Sequence, residues 1–266
     1  MASLSLSFPL SLSFSLPLSQ EKAVISVDWP KDSVVDGEAA ETRRATIEVE
    51  KLEGARKVER VAKTTRRFTD TVLAAREGRP TKVERRFTSF TREEVEGPRL
   101  RDMPLKRPLD GKTIVMMRKG DGMVYEGADD IDASELSAEH LRPDPLLASL
   151  PVRAVGVGDT WNVDEKDYLA ELNKRTTTKW TKADITATLA KLDTGAATVA
   201  YRIKLSGTTD RGESASFMAD ARHIIDPGKK RLLYFAMEAS YSIEADKRRI
   251  CMGSIVSSSM WTWKDK

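Results

Sequence analysis

Residues 150–164 read Leu-Pro-Val-Arg-Ala-Val-Gly-Val-Gly-Asp-Thr-Trp-Asn-Val-Asp, and they separate two strand-rich halves of the chain. Pro151 cannot continue a helix, and a tight turn is favoured by the residues that follow it: Gly156, Gly158 and Asp159. Three apolar side chains alternate with small residues in a way typical of a β-sheet core: Val155, Val157 and Trp161. The stretch is therefore predicted to be an architectural corner without catalytic chemistry.

The sequence after this corner is a regular series of apolar and polar residues in alternation. Five runs, separated by turn sequences such as Asp226-Pro227-Gly228-Lys229, cover residues 185–192, 199–205, 217–225, 233–243 and 250–263. In the fourth run the odd positions from Leu233 to Ile243 are predicted to share one face of a strand. Even hairpin spacing of this kind favours an antiparallel barrel or an open curved sheet.

The first half also predicts hairpins. Residues 68–75 and 81–90 flank a turn at Glu77-Gly78-Arg79-Pro80, and residues 112–118 and 123–126 flank a turn at residues 119–122. Between the halves, helix starts are indicated by a cap and an acidic residue three positions on, as in Asp132 with Glu135 and Asp164 with Asp167, and by the Asp144-Pro145 step. The predicted fold is mainly β, a strongly curved antiparallel sheet or half-barrel with two or three short helices between the halves.

The N-terminus predicts a leader. Residues 4–18 alternate leucine or phenylalanine with serine or proline, and residues 1–20 are expected to be a signal peptide or a disordered leader. The apolar stretch is shorter than the roughly twenty residues of a membrane-spanning helix, so no transmembrane anchor is predicted. We expect a linker over residues 21–41 and one β-rich domain over 42–266, with its halves joined near 129–173. The expected location is periplasmic or secreted.

Charge is unevenly distributed along the 266 residues, although the net charge is only +3. Residues 43–107 contain 19 Lys and Arg against 11 Asp and Glu, whereas residues 121–171 contain 3 against 13. Either these are solvated surfaces that attract each other weakly, or the basic half binds a polyanion or a protein partner. For the second alternative the candidate basic patch is Arg66, Arg67, Arg85 and Arg86.

No pattern in the sequence predicts catalysis. The two histidines, His140 and His223, lie in different contexts, and Cys251, the one cysteine, stands among apolar residues, where a buried, unreactive thiol is expected. Asp129, Asp130 and Asp132 lack the glycine and distal glutamate of a calcium loop. Neither a hydrolase elbow around Ser254 nor a complete phosphate-binding glycine pattern at residues 156–158 is present. We expect a non-enzymatic protein without metal or cofactor, and no nucleic acid partner.

Tryptophans are the remaining candidates for a function. Aromatic side chains inside a curved sheet either fill its core or line a cavity for an apolar small molecule. The candidate ligand-lining residues are Trp161, Trp180, Trp261 and Trp263, with core filling the favoured role for Trp161. We expect the protein to bind an apolar ligand in the concave face of the sheet or to stabilise an envelope assembly.

The corner also carries a family resemblance. Pro151-Val152 and the run Val155-Gly156-Val157-Gly158-Asp159-Thr160-Trp161, with the upstream Gly78-Arg79-Pro80-Thr81, resemble an uncharacterised family of exported bacterial β proteins. The resemblance extends over about residues 40–266. It implies an envelope or secreted location, and it supplies no substrate, cofactor or catalytic residue.

Overall fold

A computed structural model describes residues 21–51, 54–97, 101–102, 107–120, 122–132, 136, 145–174, 176–245 and 248–264. Long β-strands dominate it. The strands of the first half are β1 (Lys22–Ala23), β2 (Val34–Lys51), β3 (Gly54–Arg76), β4 (Arg79–Glu96), β5 (Arg101–Asp102), β6 (Thr113–Lys119) and β7 (Gly122–Glu126). Those of the second half are β8 (Val155–Gly156), β9 (Thr160–Asn162), β10 (Lys179–Asp193), β11 (Ala196–Thr208), β12 (Ser214–Asp226), β13 (Arg231–Ala245) and β14 (Arg248–Lys264).

Twelve strands form one antiparallel sheet, with the order β7-β6-β4-β3-β2-β14-β13-β12-β11-β10-β9 and with β5 added beside β4. The two halves of the chain meet where β2 pairs with β14, from Val34 opposite Lys264 to Ile47 opposite Cys251. β7 and β9 stand at the two ends of this order, so the described strands form an open sheet. The predicted mainly β, antiparallel fold class is confirmed.

One face of the sheet, here the inner face, carries the core. In β11 buried and more exposed residues alternate from Ala196 to Thr208, and Val199 and Ile203 are among the buried ones. Ile114 of β6 and Leu189 of β10 lie near opposite ends of the strand order, yet both are fully buried in the same apolar cluster. The sheet therefore curves around one core, and its opposite surface is here the outer face.

The corner at residues 150–164 forms two short strands at the sheet margin. β8 pairs with β1, and β9 pairs with β10 through Trp161 opposite Ala187. The Asp159 carboxylate accepts a hydrogen bond from the Gly156 amide at 2.9 Å and closes the turn between them. Val155 is buried as predicted, but Val157 is 40% exposed because it lies in the turn and not in a strand. The prediction of a core role for Val157 is wrong.

Two short helices are described after β7: a 3-10 helix at Pro145–Ser149 and α1 at Glu165–Leu172. The Asp164 carboxylate accepts a hydrogen bond from the Asp167 amide at 2.8 Å, so the predicted cap is confirmed. Of the helix predicted from Asp132, the Leu136 amide donates to the Asp132 carbonyl at 3.2 Å, while Glu135, His140 and Asp144 lie outside the described residues.

Residues that follow α1 also complete the sheet margin. The side chain of Asn173 accepts from the Trp180 amide at 2.8 Å and donates to the Trp180 carbonyl at 2.9 Å. The Glu165 carboxylate accepts from the Ala183 amide at 2.8 Å. These side chains occupy backbone groups of β10 beyond its short pairing with β9, which protects this strand from pairing with another chain.

The segment predicted as a linker, residues 21–41, belongs to the fold. It contains β1 and the first part of β2, and Ile25, Trp29 and Val35 are 1%, 4% and 0% exposed. The Trp29 ring lies 4.8 Å from the ring of Trp263, near the end of the chain. The linker prediction is wrong because these apolar residues follow no regular period and find their partners far away in sequence.

Two irregularities modify the predicted hairpins. Glu77 and Gly78 both have positive φ, 53° and 69°, so they form a two-residue turn of the type that matches strand twist, and Pro80 lies inside β4. In the second half, a bulge makes Ile224 pair with Tyr234 and Ile225 with Leu232. The bulge leaves Leu233 between these pairs, and Leu232 is the fully buried residue in its place.

Three glycines lie opposite aromatic residues on neighbouring strands: Gly37 opposite Phe68, Gly207 opposite Trp180 and Gly253 opposite Tyr241. At Gly37 an added Cβ would collide with the Phe68 ring, and at Gly253 it would collide with Tyr241 and the Arg44 carbonyl. The aromatic rings therefore cover Gly37 and Gly253, whereas at Gly207 an added Cβ would collide with the backbone of Lys179 and Trp180. Such pairs allow close approach and local coiling of a sheet.

Candidate functional site

The four candidate tryptophans pack against the protein. Trp261 is 5% exposed, and Trp263 is half-buried with its Nε1 donating to the Leu232 carbonyl at 2.8 Å. The Trp161 Nε1 donates to the Ser149 carbonyl at 3.0 Å, and the Trp180 ring lies 6.2 Å from that of Phe217, edge to face. All four contact the apolar cluster or belong to it. The structure thus places them in or against the core.

The four candidate arginines do not form one patch. Arg85 is 7% exposed and donates two hydrogen bonds of 2.7 Å to the Asp70 carboxylate, so it is not accessible to a polyanion. Arg67 pairs with Glu38 at 3.1 Å, and Arg86 is exposed. Because Arg66 and Arg67 are adjacent in β3, they point to opposite faces. The proposed patch is wrong for Arg85, since a neighbouring strand provides it with a buried partner.

Ion pairs connect the acidic segment, residues 121–171, to the strands before it. Lys82 of the basic segment, residues 43–107, lies 3.6 Å from Glu126. Two cations from between the two segments also pair with acidic residues: Arg118 of β6 lies 3.3 Å from Glu171 of α1, and Lys112 forms an ion pair with Asp130. These contacts agree with the interpretation of weakly attracting solvated surfaces, because exposed ion pairs contribute little stability.

His223 and Cys251 have protein neighbours on the inner face. His223 is fully buried, and its Nδ1 lies 3.1 Å from the Tyr201 hydroxyl. Burial raises the pKa of the half-buried Cys251 thiol, while its hydrogen bond with Tyr241 opposes this change. Burial also raises the pKa of Tyr241. A thiol with a raised pKa remains protonated at neutral pH and is a poor nucleophile.

Two further kinds of site are absent among the described residues. No three His, Cys, Asp or Glu side chains of these residues converge where they could hold a metal ion. None of the described helices combines the length and apolar character needed to cross a bilayer.

A groove of about 780 Å³ lies on the outer face, where β12, β13, β14, β2, β3 and β4 run side by side. Its apolar side chains include Met218, Met252, Val61 and Val95. The two methionines are solvent-exposed, Met218 by 57% and Met252 by 44%. Its polar side chains are mainly hydroxyl and charged groups: Arg44, Thr46, Glu59, Lys63, Ser216, Ser240, Ser242 and Ser254. The groove is therefore amphiphilic.

The strand register sets the order of these groups across the sheet. Met218, Ser240, Ser254 and Arg44 are direct partners on four successive strands. In the adjoining row Ser242 pairs with Met252, and the hydroxyls of Ser216 and Ser242 are 2.8 Å apart. Methionines thus lie towards β12 and β14, whereas the cationic groups lie on β2 and β3.

The groove has no local sequence signature. Arg44 and Ser254 are partners only because the first long strand pairs with the last. The available signal was the presence of methionine on the otherwise polar side of an alternating strand, as in Met218 between Phe217 and Ala219. Sequence reasoning assigned the ligand to tryptophans on the other face, since large aromatic residues are the commoner lining of a cavity.

Comparisons with known proteins give a likeness of fold. No protein-family model matches the sequence, and no curated protein matches it. A structure described as lipid-protein interactions in lipovitellin superposes with a TM-score of 0.51 at 7% identity, over 90% of this chain and 26% of that one. A mannose phosphorylase from Leishmania mexicana gives a TM-score of 0.14 at 12% identity, over 89% and 87% of the two chains, which is no likeness of fold. The chain thus shares a fold with about a quarter of the lipovitellin chain.

Proposed function

We propose that the protein is a non-enzymatic binding protein whose outer-face groove accepts the hydrocarbon chain of a lipid-like ligand. The observation that carries this proposal is the exposure of Met218 and Met252 within the groove. Methionine is flexible and polarisable, and it adapts to apolar ligands of varied shape. The volume of about 780 Å³ lies within the common range for small-molecule sites.

The lipovitellin likeness supports the same ligand class. That structure was described for its lipid-protein interactions, and it shares the open antiparallel fold with this chain. The likeness alone would be a weak argument, because one fold serves many functions. The two exposed methionines support the same ligand class independently of the likeness, because they belong to this chain.

The location of the ligand differs from the one expected from sequence. The four tryptophans of the inner face and margin contact the core, and none of them lines the groove. The apolar ligand is therefore proposed for the outer face. We also propose that the protein is exported, to the periplasm or the medium, because its N-terminal residues resemble a leader. The corner motif is the basis for proposing that it belongs to the exported bacterial β family. Mass determination of the protein recovered from its host's envelope or medium tests the location.

Binding of decan-1-ol to the full chain tests the ligand proposal. By titration calorimetry we expect the alcohol to bind, and Met252→Asp or Met218→Asp to weaken binding by about tenfold or more, because a charge replaces apolar contact area. The control is Met260→Asp, which changes a methionine that is 51% exposed on the same face of β14 but outside the groove.

Equal losses for Met252→Asp and Met260→Asp would contradict the assignment of the groove. Absence of alcohol binding to the unmodified chain would refute the proposed function. Circular dichroism of each variant verifies that the sheet is retained.

A further inference from the structure

We infer that the ligand of the groove is a single-chain amphiphile with an anionic head group, and that Arg44 and Lys63 bind this head group. The inference rests on the proposed function, because it assigns the polar end of the same ligand. Nothing in the proposed function itself requires a charge on the ligand. The argument depends on the position, the pairing and the spacing of the cationic side chains.

The groove contains more positive than negative charge. Arg44 and Lys63 line it on the outer face together with one carboxylate of the lining residues, that of Glu59. The Arg60 side chain points to the inner face, because Arg60 stands between Glu59 and Val61 in β3, and its Nε lies 3.0 Å from the Glu96 carboxylate. Within the part of the chain that the structure describes, Arg44 and Lys63 form no ion pair. Neither cation is therefore held by a carboxylate, although Glu59 is a diagonal neighbour of Arg44 and Glu93 lies directly opposite Lys63.

The two available cations are close neighbours. Arg44 pairs with Val61, and Lys63 follows two residues later on the same face of β3. Diagonal neighbours of this kind in an antiparallel pair are about 7–8 Å apart at Cα, within reach of long side chains. The Ser254 hydroxyl lies beside Arg44 on β14 and can add a neutral donor. A guanidinium, an ammonium and a hydroxyl together suit a carboxylate or phosphate.

The distance to the apolar end matches a medium-length chain. From Met218 on β12 to Arg44 on β2 there are three strand spacings of about 4.8 Å, or roughly 14 Å. Met252 lies between these ends, on β14. An amphiphile with its head on Arg44 would therefore lay its chain across β14 and β13 towards Met218. The serines between them tolerate close approach because their side chains are small.

Decanoate and decan-1-ol are the matched probes, since they share a ten-carbon chain and differ in head-group charge. By calorimetry at low salt we expect the full chain to bind decanoate about tenfold more tightly than the alcohol. Arg44→Gln should remove that preference, because it should lower the affinity for decanoate about tenfold more than the affinity for the alcohol. Arg86→Gln is the control, because Arg86 is an exposed arginine of the outer face that does not line the groove.

The outcomes separate this inference from the proposed function. Equal affinity for the two probes would overturn the head-group assignment and leave the apolar groove standing. Equal losses of decanoate binding in Arg44→Gln and Arg86→Gln would also overturn it, since the effect would then be one of general charge. Binding of decanoate without any binding of the alcohol would contradict the apolar groove, and binding of neither probe would refute both.

Discussion

The two halves of the sheet build their inner faces differently. In β11 and β12 the buried residues are almost all apolar, as shown by Val199, Ile203 and Ile225, with exposures of 0%, 2% and 0%. In β3 and β4 the inner face includes the buried pair Asp70 and Arg85 beside the buried Phe68 and Phe87. The second half thus depends on apolar burial, whereas the first half adds a buried ion pair to it.

The difference shows what holds the register of the first half. The Arg85 side chain makes two 2.7 Å hydrogen bonds to Asp70, and its guanidinium lies 4.0 Å from the centre of the Phe68 ring. A slip of β3 against β4 would leave both charges buried without each other, at a large desolvation cost. In the second half, a one-residue slip would turn every apolar side chain of β11 outward. Both devices specify the register, by different physical effects.

The largest expected effect in this comparison comes from Asp70→Ala. It leaves the Arg85 charge buried without its carboxylate, so we expect a loss of about 3–5 kcal/mol in the free energy of unfolding, measured in urea. The control is Asp220→Ala, which removes a carboxylate from the 3.8 Å pair with Arg202, where the side chains are 83% and 79% exposed. That change should stay within about 0.5 kcal/mol. Similar losses for the two variants would remove the distinction between buried and exposed pairs.

A smaller effect is expected from Val199→Ala in β11. Removing methyl groups from a fully buried side chain should lower the free energy of unfolding by about 2 kcal/mol, from lost transfer energy and a residual cavity. Val256→Ala is the same substitution at a position that is 52% exposed on β14, and it should cost less than about 0.5 kcal/mol. If the two losses in urea unfolding were alike, the division into inner and outer faces would be incorrect.

The smallest effect concerns acid stability of the first half. The Thr69 hydroxyl donates to Asp36 at 2.7 Å, and this bond, with the neighbouring Lys264, lowers the pKa of Asp36 below its ordinary value of 3.8. A lowered pKa in the folded state stabilises the protein above pH 3.8, and this contribution is lost as the pH falls through the folded pKa. Asp36→Asn should therefore reduce stability slightly at pH 6 and flatten its decline below pH 4. Thermal unfolding across that range is the measurement, and parallel pH profiles for the two proteins would contradict the assignment.

Local patterns in the sequence were sufficient where the interacting residues are close in sequence. The cap of α1 was predictable because Asp164 and Asp167 are three positions apart, and the turn at Asp159 depends on glycines beside it. The odd positions of β11 were predictable since alternate residues of a strand face one side. The linker prediction for residues 21–41 failed because Trp29 is ordered by Trp263, from the other end of the chain.

The sequence by itself determined most of the strands and turns after residue 41, and which residues of a strand share a face away from bulges, because these follow from contacts among near neighbours. Only the tertiary structure decided that Arg85 forms a buried ion pair with Asp70, and that Arg44 and Met252 line the same groove. Both depend on which strands pair, and β2 and β14 come together from the two ends of the chain. Alternation specifies the face of a residue but not its neighbour across the sheet, and the candidate binding groove is made of such neighbours.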